Sequence, residues 1–334
     1  MWNFQHRKQN ICITILTCVC LGNILLYIAF TNLEAEYMRR KKVIVQGLSM
    51  RHDQKKENDG KQRKDESFLV NEPFLCNEQK VDLIIIVCSS LDHFQQRNAI
   101  RETWGNYTEE KFSIKIVFLV GTWIDRRLSK INQTFSEEVS EKKDIVQGNF
   151  IDSYRNLTLK SIFMLRWLKT YCNQSKYILK TDDDMYINIP NLFRALNKQV
   201  ITDFMMGNLI LGARPVQDKA SKWYTPKSVF PEEVYPPYFS GTAYVISGSA
   251  LPKLYKVSEN LKPFWLEDVF ITGLCAQIAR LNHINRRDMT FNTPKPYGCT
   301  LKSLISGHKI KWQNMQSTHQ EVVDVNSTIC DKPK

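Results

Sequence analysis

The stretch YILKTDDDMYIN, residues 177–188, decides the fold of this chain, because an apolar strand signal ends there in three consecutive carboxylates. Asp182, Asp183 and Asp184 repel one another wherever they are partly desolvated. Oxygen-only carboxylate clusters suit magnesium, manganese or calcium. At the carboxyl end of a strand in an open α/β sheet, such a cation faces the crevice where ligands bind. The stretch predicts a site for a metal and a phosphate-bearing ligand, the alternative being a solvated acidic turn.

Strand and helix signals alternate on both sides of this stretch. Continuous apolar runs predict strands at 81–88, 114–120, 145–150 and 177–181. Helical spacing predicts helices at 92–104, 124–142, 157–170, 251–256 and 268–281, and Gly105 is the expected stop of the first. The predicted fold class is therefore α/β, with a mainly parallel sheet and helices on both of its faces.

Residues 11–30 contain no charged side chain and are long enough to span a bilayer core of about 30 Å. They predict a transmembrane signal-anchor between a cytoplasmic tail, 1–10, and a polar stem, 31–71, with one large domain at 72–334. The four basic residues at 39–42 favour the opposite orientation. A cleaved signal peptide is the alternative, although the apolar run exceeds the usual signal-peptide core of about 7–15 residues.

Two features predict that the large domain is lumenal. Six cysteines follow the span, as expected in an oxidising compartment. Five N-glycosylation sequons also follow it, at Asn106, Asn132, Asn156, Asn173 and Asn326. The expected topology is therefore that of a single-pass type II membrane protein.

The net charge is +12, from 46 Lys and Arg residues against 34 Asp and Glu residues. This excess favours an anionic ligand such as a nucleotide, although ordinary solvated lysines explain most of it. No RNA- or DNA-binding module is recognisable in the sequence, and a lumenal protein would rarely meet either polymer.

Five segments resemble, in order, motifs of the β-1,3-galactosyltransferase family of Golgi enzymes, glycosyltransferase family thirty-one. They are RNAIRETWG (97–105), DSYRNLTLKS (152–161), KTDDDMYIN (180–188), YPPYFSGTAYVIS (235–247) and LEDVFITGLC (266–275). The resemblance covers roughly residues 72–325, and the anchor-and-stem layout also fits. It implies a lumenal catalytic domain of GT-A fold in the Golgi membrane. It also implies a manganese cofactor (magnesium being a possible substitute), a UDP-sugar donor and inversion at the anomeric carbon.

Glycosyl transfer from a UDP-sugar leaves charge on the diphosphate, which a cation stabilises. Asp184 is the expected direct metal ligand, with Asp182 and Asp183 in support or holding donor hydroxyls. The resemblance also implies a metal-binding histidine late in the domain, and His308 falls in that segment. Gly307 precedes it where the family has valine, and an exposed loop histidine is the alternative reading.

Inversion by direct displacement requires a general base for the acceptor hydroxyl. Asp268 matches the second acid of the family's acidic pair and is the predicted base, while Glu267 is expected to bind the acceptor. Both acids could also cap the predicted helix, whose dipole favours negative charge. We expect this helix start to lower the pKa of Asp268 and keep its carboxylate ionised.

Other residues are predicted to surround the substrates. Arg97 and Arg101 lie four apart on one helix face and suit nucleotide phosphates, an internal ion pair being the alternative for one of them. Asp152 and Lys160 flank the Asn-Leu-Thr segment and are both predicted at the nucleotide-sugar site, where Lys160 is expected to reach the diphosphate. The predicted sugar-site residues are Tyr238, Ser240 and Gly241. The predicted acceptor-groove residues, for which core packing is the alternative, are Trp223, Tyr224 and Trp265.

The six cysteines after the span allow specific pairing predictions. Cys76 is expected to pair with Cys172, closing a loop of about 95 residues and contributing about 4 kcal/mol. Cys275 is expected to pair with Cys299, and Cys88 to be buried and free.

Together these features predict a Golgi β-1,3-galactosyltransferase that acts on a glycan of a glycoprotein or glycolipid; its oligomeric state is left open. A UDP-GlcNAc or UDP-GalNAc donor is the alternative within the same class, because those relatives share every motif quoted. A non-catalytic sugar-binding protein is the alternative of another class, and the presence of both Asp184 and Asp268 argues against it. A metal-dependent phosphatase would need a second metal-ligand cluster.

Overall fold

The computed structural model describes residues 68–77, 80–123, 129–295 and 297–324. Within these ranges, no helix has both the length and the apolar character required to cross a bilayer. The predicted anchor and nearly all of the predicted stem lie outside the described residues. The type II topology therefore stays a prediction.

Ten strands lie in the described part of the chain. They are β1 (Phe68–Val70), β2 (Leu83–Cys88), β3 (Ile114–Thr122), β4 (Ile145–Ile151), β5 (Tyr177–Asp182), β6 (Tyr186–Ile187), β7 (Phe204–Ile210), β8 (Tyr238–Ser247), β9 (Asn282–Asn285) and β10 (Ser306–Gly307). Eight of them form one sheet in the order β1-β4-β3-β2-β5-β8-β7-β9, while β6 and β10 form a separate pair. In the large sheet only β1 and β8 run antiparallel to their neighbours.

Helices connect these strands and cover the sheet. They are α1 (Phe94–Arg101), α2 (Ser129–Lys142), α3 (Leu157–Tyr171), α4 (Ile189–Leu196), α5 (Leu251–Asn260), α6 (Ala276–Ile278), α7 (Tyr297–Leu301) and α8 (Trp312–Val323). A π-helix, Val269–Cys275, leads directly into α6. All six residues of β2 and five of six in β5 are buried, as expected for central strands covered on both faces. The predicted α/β class with a mainly parallel sheet is confirmed.

Two predicted helices differ from the observed ones. The first ends at Arg101, and Gly105 lies beyond it in the 3₁₀ turn Trp104–Asn106. A Cβ at Gly105 would lie 2.6 Å from the Ile100 carbonyl oxygen, so this glycine permits a close backbone approach rather than ending α1. The helix predicted at 268–281 is mostly the π-helix, a rare form that often marks functional sites.

The sheet topology brings the predicted site motifs to one edge. Parallel strands β2, β3, β4 and β5 all end at this edge, which places the acidic triplet there. Strand β8 runs antiparallel to β5, with Thr181 opposite Ala243, so the beginning of β8 lies beside the end of β5. Ser240 and Gly241 are thereby placed next to Asp182, although they are about 60 residues away in the chain.

The disulfide predictions have mixed outcomes. Cys76 and Cys172 are bonded, with Cα atoms 5.3 Å apart, and Cys88 is buried and free, as predicted. The predicted Cys275–Cys299 bond is wrong, because Cys275 is a free thiol, whereas Cys299 is disulfide-bonded. Cys275 belongs to the fully buried π-helix and packs into the apolar core.

Loss of the Cys76–Cys172 bond is expected to destabilise the domain by about 4 kcal/mol, because its 96-residue separation restricts the unfolded chain. The measurement is the denaturant midpoint of the double variant Cys76→Ser/Cys172→Ser against the unaltered protein, both in non-reducing buffer. An unchanged midpoint and slope would show that the bond contributes nothing to stability.

Candidate active site

Asp184 and His308 face each other just beyond the end of β5. The His308 Nε2 atom lies 3.3 Å from Asp184 Oδ2. The Phe291 carbonyl oxygen accepts a 3.0 Å hydrogen bond from His308 Nδ1, so the lone pair of a neutral ring lies on Nε2. The Ile310 amide also donates to the Asp184 carbonyl, at 2.9 Å. The two side chains are thus oriented toward a shared point.

This pair suits a divalent cation. A carboxylate oxygen and an imidazole nitrogen are both ligands for manganese-type ions, and a hydrogen bond to the second ring nitrogen is the usual support for such a ligand. The described ranges contain no cluster of three or more His, Cys, Asp or Glu side chains arranged for a metal. Two protein ligands would leave most coordination positions for phosphate oxygens and water.

Asp182 is neutralised by a buried lysine. The Lys180 ammonium donates to Asp182 Oδ1 at 2.7 Å and to the Gly241 carbonyl at 2.6 Å. Burial raises the pKa of Asp182 to about 6, although the charge of Lys180 acts in the opposite direction. Lys180 therefore ties the acidic end of β5 to the start of β8.

Asp183 points the other way, toward α1. Its Oδ2 atom accepts a 2.7 Å hydrogen bond from Ser89 Oγ and lies 2.7 Å from His93 Nδ1. The bond to Asp183 raises the pKa of His93, outweighing the effect of burial. Of the three consecutive carboxylates, Asp184 is thus the one that faces His308.

The acidic pair at the start of the π-helix has one enclosed and one accessible member. Glu267 is buried, and its Oε1 atom accepts 2.7 Å hydrogen bonds from Ser161 Oγ and the Tyr244 hydroxyl. Asp268 is half-buried, and its Oδ1 atom accepts a 2.8 Å bond from the Val269 amide. Asp268 is therefore the member better placed to accept a proton from a ligand.

The pKa of Asp268 differs from the sequence expectation. Burial, followed by the neighbouring charge of Glu267, raises it to about 6, and the Val269 hydrogen bond offsets only part of this rise. The expectation that the helix start would lower this pKa is therefore wrong, because desolvation outweighs the helix terminus.

A cavity of about 490 Å³, within the usual size range of ligand sites, extends from His308 to the acidic pair. His308 and both acids of the pair line it, as does Gly241 of β8. A Cβ at Gly241 would lie 3.2 Å from the Asp268 Cβ and 3.3 Å from Glu267 Oε2. This glycine therefore allows the acidic pair to pack directly against β8.

Aromatic side chains form another part of the cavity wall. Trp223 and Tyr154 are 48% and 45% exposed, and the indole Nε1 of Trp223 donates to the Tyr154 hydroxyl at 2.9 Å. The Tyr154 and Trp265 rings are 6.4 Å apart, and the Arg155 guanidinium lies 3.9 Å from the Trp265 ring. Partly exposed aromatic side chains such as Trp223 and Tyr154 suit contact with the apolar faces of sugar rings.

Comparison with known proteins gives the family. The galactosyltransferase family model matches residues 95–287. This chain belongs to the galactosyltransferase family. It is 37% identical to β-1,3-galactosyltransferase 1 of Mus musculus over 254 residues, covering 74% of this chain and 76% of that protein. It is 32% identical to β-1,3-galactosyltransferase 2 of Homo sapiens over 263 residues, covering 75% and 62%. A solved structure of the bifunctional glycosyltransferase WbbM aligns with a TM-score of 0.40 and 9% identity, over 75% of this chain and 51% of that chain.

In this galactosyltransferase, the two arginines predicted for the nucleotide have carboxylate partners inside the protein. Arg97 is completely buried and donates to both carboxylate oxygens of Glu138, at 2.9 and 2.6 Å. Arg101 donates to Asp144 at 2.8 Å twice and to Glu138 at 2.7 Å. The structure therefore favours the ion-pair alternative for both, since each guanidinium is already paired with carboxylates and Arg97 is also buried.

Lys160 is enclosed in the same way. Its ammonium donates to Asp152 at 2.7 Å and to the Ser89 carbonyl at 2.8 Å, and only 3% of the residue is exposed. Asp152 also accepts a 2.9 Å bond from the Gly121 amide. These residues fix the ends of β2, β3 and β4 relative to one another. Lys160 is not among the residues that line the cavity, so a contact with the diphosphate stays a prediction.

The remaining predicted residues are divided between the cavity and its surroundings. Ser240, Trp223 and Trp265 line the galactosyltransferase cavity. Tyr238 and Tyr224 are not among the described lining residues, and Tyr224 forms an isolated bridge with Val216. Several other lining residues were not predicted, because most of them lie in loops that only the tertiary fold brings to the cavity. These are Tyr154, Lys222, Phe291, Asn292 and Lys309.

The described sequons differ in accessibility. Asn106, Asn132 and Asn173 are exposed. Asn156 is half-buried, and its Nδ2 atom, which a glycan would modify, donates to the Ile151 carbonyl at 2.8 Å. Asn326 lies outside the described residues. Glycosylation at all five positions stays a prediction.

The rate of sugar transfer is expected to fall as the pH drops through about 6, because protonated Asp268, with its raised pKa of about 6, cannot accept a proton. Below that pH, kcat/KM should decrease about tenfold per unit. The measurement is kcat/KM between about pH 5 and pH 8 with the metal concentration held saturating. A flat profile across pH 6 would contradict the proposed base.

Proposed function

We propose that this family member transfers galactose from UDP-galactose, in β-1,3 linkage and with inversion, to a glycan of a glycoprotein or glycolipid. The supporting observation is the joint placement of the Asp184–His308 pair and the half-buried Asp268 at the same edge of the sheet. The mainly parallel sheet with its acidic triplet after β5 supports a GT-A arrangement.

The donor diphosphate would bind at Asp184 and His308, together with manganese or magnesium. When bound, the ion acts as a Lewis acid toward the leaving diphosphate. His308 is held for this role by its bond to the Phe291 carbonyl, and Asp184 by its bond from the Ile310 amide. Lys180 holds Asp182 and the Gly241 carbonyl, which keeps the β5–β8 junction rigid beside the donor sugar.

Asp268 would act as the general base. Its carboxylate accepts the proton of the acceptor hydroxyl while the hydroxyl oxygen forms a bond to the anomeric carbon. The bond from that carbon to the phosphate oxygen breaks, and the electron pair leaves with UDP. Glu267, fixed by Ser161 and Tyr244, would orient this base and raise its pKa through its own charge.

The aromatic wall would hold the acceptor glycan. Trp223, Tyr154 and Trp265 line the same cavity as Asp268, and the first two are about half exposed. Stacking of sugar faces on these rings would present an acceptor hydroxyl to the base without a large entropic cost, since aromatic side chains have few rotatable bonds.

The decisive experiment for the activity is transfer and donor hydrolysis with a panel of UDP-sugars in the presence of manganese. We expect UDP-galactose to be used with the highest kcat/KM. A preference for UDP-GlcNAc or UDP-GalNAc would assign the alternative donor within the same class. Binding of UDP-sugars without any transfer to glycan acceptors or to water would identify a non-catalytic sugar-binding protein.

The proposed location is the Golgi membrane, with a type II anchor at residues 11–30 and a lumenal domain. Protease treatment of sealed microsomes should spare the domain, and an N-glycosidase should lower its mass. Substituting Asn106, Asn132 and Asn173, the exposed sequons, should remove most of that mass shift, whereas Asn156→Gln should change it little. Digestion of an unglycosylated domain would exclude the lumenal location.

A further inference from the structure

We propose that Lys309 is a further catalytic residue, whose ammonium group binds the diphosphate of the donor beside the Asp184–His308 pair. The role rests on the proposed function, because it requires a nucleoside diphosphate at that pair. Lys309 lines the cavity, directly follows His308 and has no part in the motifs quoted from the sequence.

The backbone of Lys309 is held in the left-handed region, with φ at +59°. Such a conformation costs a non-glycine residue free energy and persists where the surroundings enforce it. Lys143, Asp203 and Arg280 share it. Lys143 and Arg280 follow helix ends, where the left-handed form is common. Asp203 directly precedes β7, and bonds with Ser249 and Lys253 hold it there. Lys309 instead lies between β10 and α8, so a helix end does not explain its conformation.

The contacts on either side of Lys309 explain what enforces this turn. The His308 amide donates to the Asn292 carbonyl at 3.2 Å, and the Ile310 amide donates to the Asp184 carbonyl at 2.9 Å. The His308 ring returns to the Asp184 carboxylate at 3.3 Å. The residues before and after Lys309 thus both contact Asp184, one at its carboxylate and the other at its main-chain carbonyl. The turn therefore holds the Lys309 backbone close to Asp184.

The other lysines that line the cavity are already engaged. Lys180 is buried and bonded to Asp182 and Gly241. Lys222 lies 4.7 Å from the Trp223 ring centroid, on the aromatic wall. Lys309 is exposed, and within the described ranges no hydrogen bond or ion pair holds its ammonium group.

A divalent cation neutralises only part of the charge of a nucleoside diphosphate, so a second cation beside it binds the remainder. The lysine next to His308 is placed for this task, and its flexible stem allows the ammonium to follow the departing diphosphate. The same contact would strengthen as charge develops on the leaving group, which makes it catalytic as well as binding.

The test is calorimetric binding of UDP and of uridine, each with manganese, to the full chain and its variants. Lys309→Met keeps the β-carbon and the strained backbone while removing the charge. We expect UDP to bind about 10- to 100-fold more weakly and uridine to bind unchanged, as for loss of one charged hydrogen bond. Lys309→Arg should retain most of the UDP affinity. Lys143→Met, at a second left-handed lysine that is absent from the cavity lining, is the matched control and should bind UDP normally.

The variant Lys309→Gly distinguishes the effect of the ammonium charge on UDP binding from the effect of the backbone conformation on stability. It relieves the strained φ, so its melting temperature should not fall, yet its UDP affinity should match that of Lys309→Met. Unaltered UDP affinity in either variant would overturn the role of Lys309 while leaving the proposed function intact. Failure of the unaltered protein to bind UDP with manganese would overturn both.

Discussion

Replacing Asp268 with asparagine is expected to lower galactosyl transfer by about 10²–10⁴-fold, the range for loss of a general base. The amide cannot accept the acceptor proton, whereas it can still accept the Val269 hydrogen bond that caps the helix. UDP affinity should be nearly unchanged, because the donor diphosphate is held elsewhere, by Asp184 and His308. Single-turnover transfer rates and UDP binding measured on the same preparation separate the two effects.

Two variants provide controls for this result. Asp218→Asn removes an exposed carboxylate that is absent from the cavity lining and should leave transfer unchanged. Glu267→Gln preserves an oxygen for Ser161 and Tyr244 but removes a negative charge that raises the pKa of Asp268. The midpoint of the pH–rate profile of Glu267→Gln should therefore lie at a lower pH than that of the unaltered enzyme. Normal turnover by Asp268→Asn would assign the base elsewhere, with Glu267 the next candidate.

Removing the metal or its carboxylate ligand is expected to have the second large effect. Asp184→Asn should lower transfer by more than about 100-fold, because even supporting residues of a metal site typically contribute 10–100-fold. EDTA should abolish activity of the unaltered enzyme, and manganese should restore it. The Asp184 side chain is 43% exposed, so the variant should keep a normal melting temperature.

The matched comparison for Asp184→Asn is Asp182→Asn. The carboxylate of Asp182 is paired with the buried ammonium of Lys180. Replacing Asp182 therefore leaves that ammonium with one fewer partner, and should lower the stability of the folded protein more than its affinity for the metal. Manganese titrations monitored by calorimetry with UDP present distinguish these outcomes. Full activity in EDTA, or normal manganese affinity in Asp184→Asn, would contradict the metal site.

Local sequence patterns were sufficient for the central strands and the position of the acidic edge. The apolar run that became β2 and the apolar start of β5 favour burial. The acidic triplet begins with the last residue of β5 and therefore lies where that strand leaves the sheet. The Cys76–Cys172 disulfide could also be predicted from the sequence, because one cysteine precedes the first central strand and the other ends the helix before β5. Each of these features depends on residues that are neighbours in the chain or on simple strand order.

The roles of individual charged residues could not be read from the chain in this way. Arg97 and Lys160 have the residue types of phosphate ligands, yet Glu138 and Asp152 neutralise them inside the protein. The raised pKa of Asp268 likewise follows from burial, a property of packing rather than of helix position. Cys275 is excluded from a disulfide because the π-helix places it in the core.

The sequence by itself therefore determined the α/β class, the family and the residue types available for metal binding and proton transfer. Sequence motifs already selected Asp184 as the metal ligand and Asp268 as the base, but only the tertiary structure decided which partners surround them. Asp184 faces His308 whereas Asp183 is bonded to Ser89, and Asp268 is accessible whereas Glu267 is enclosed. The physical reason is that desolvation and charge pairing depend on partners distant in the chain. Glu267 is enclosed by Ser161, 106 residues earlier, and Asp183 by Ser89, 94 residues earlier.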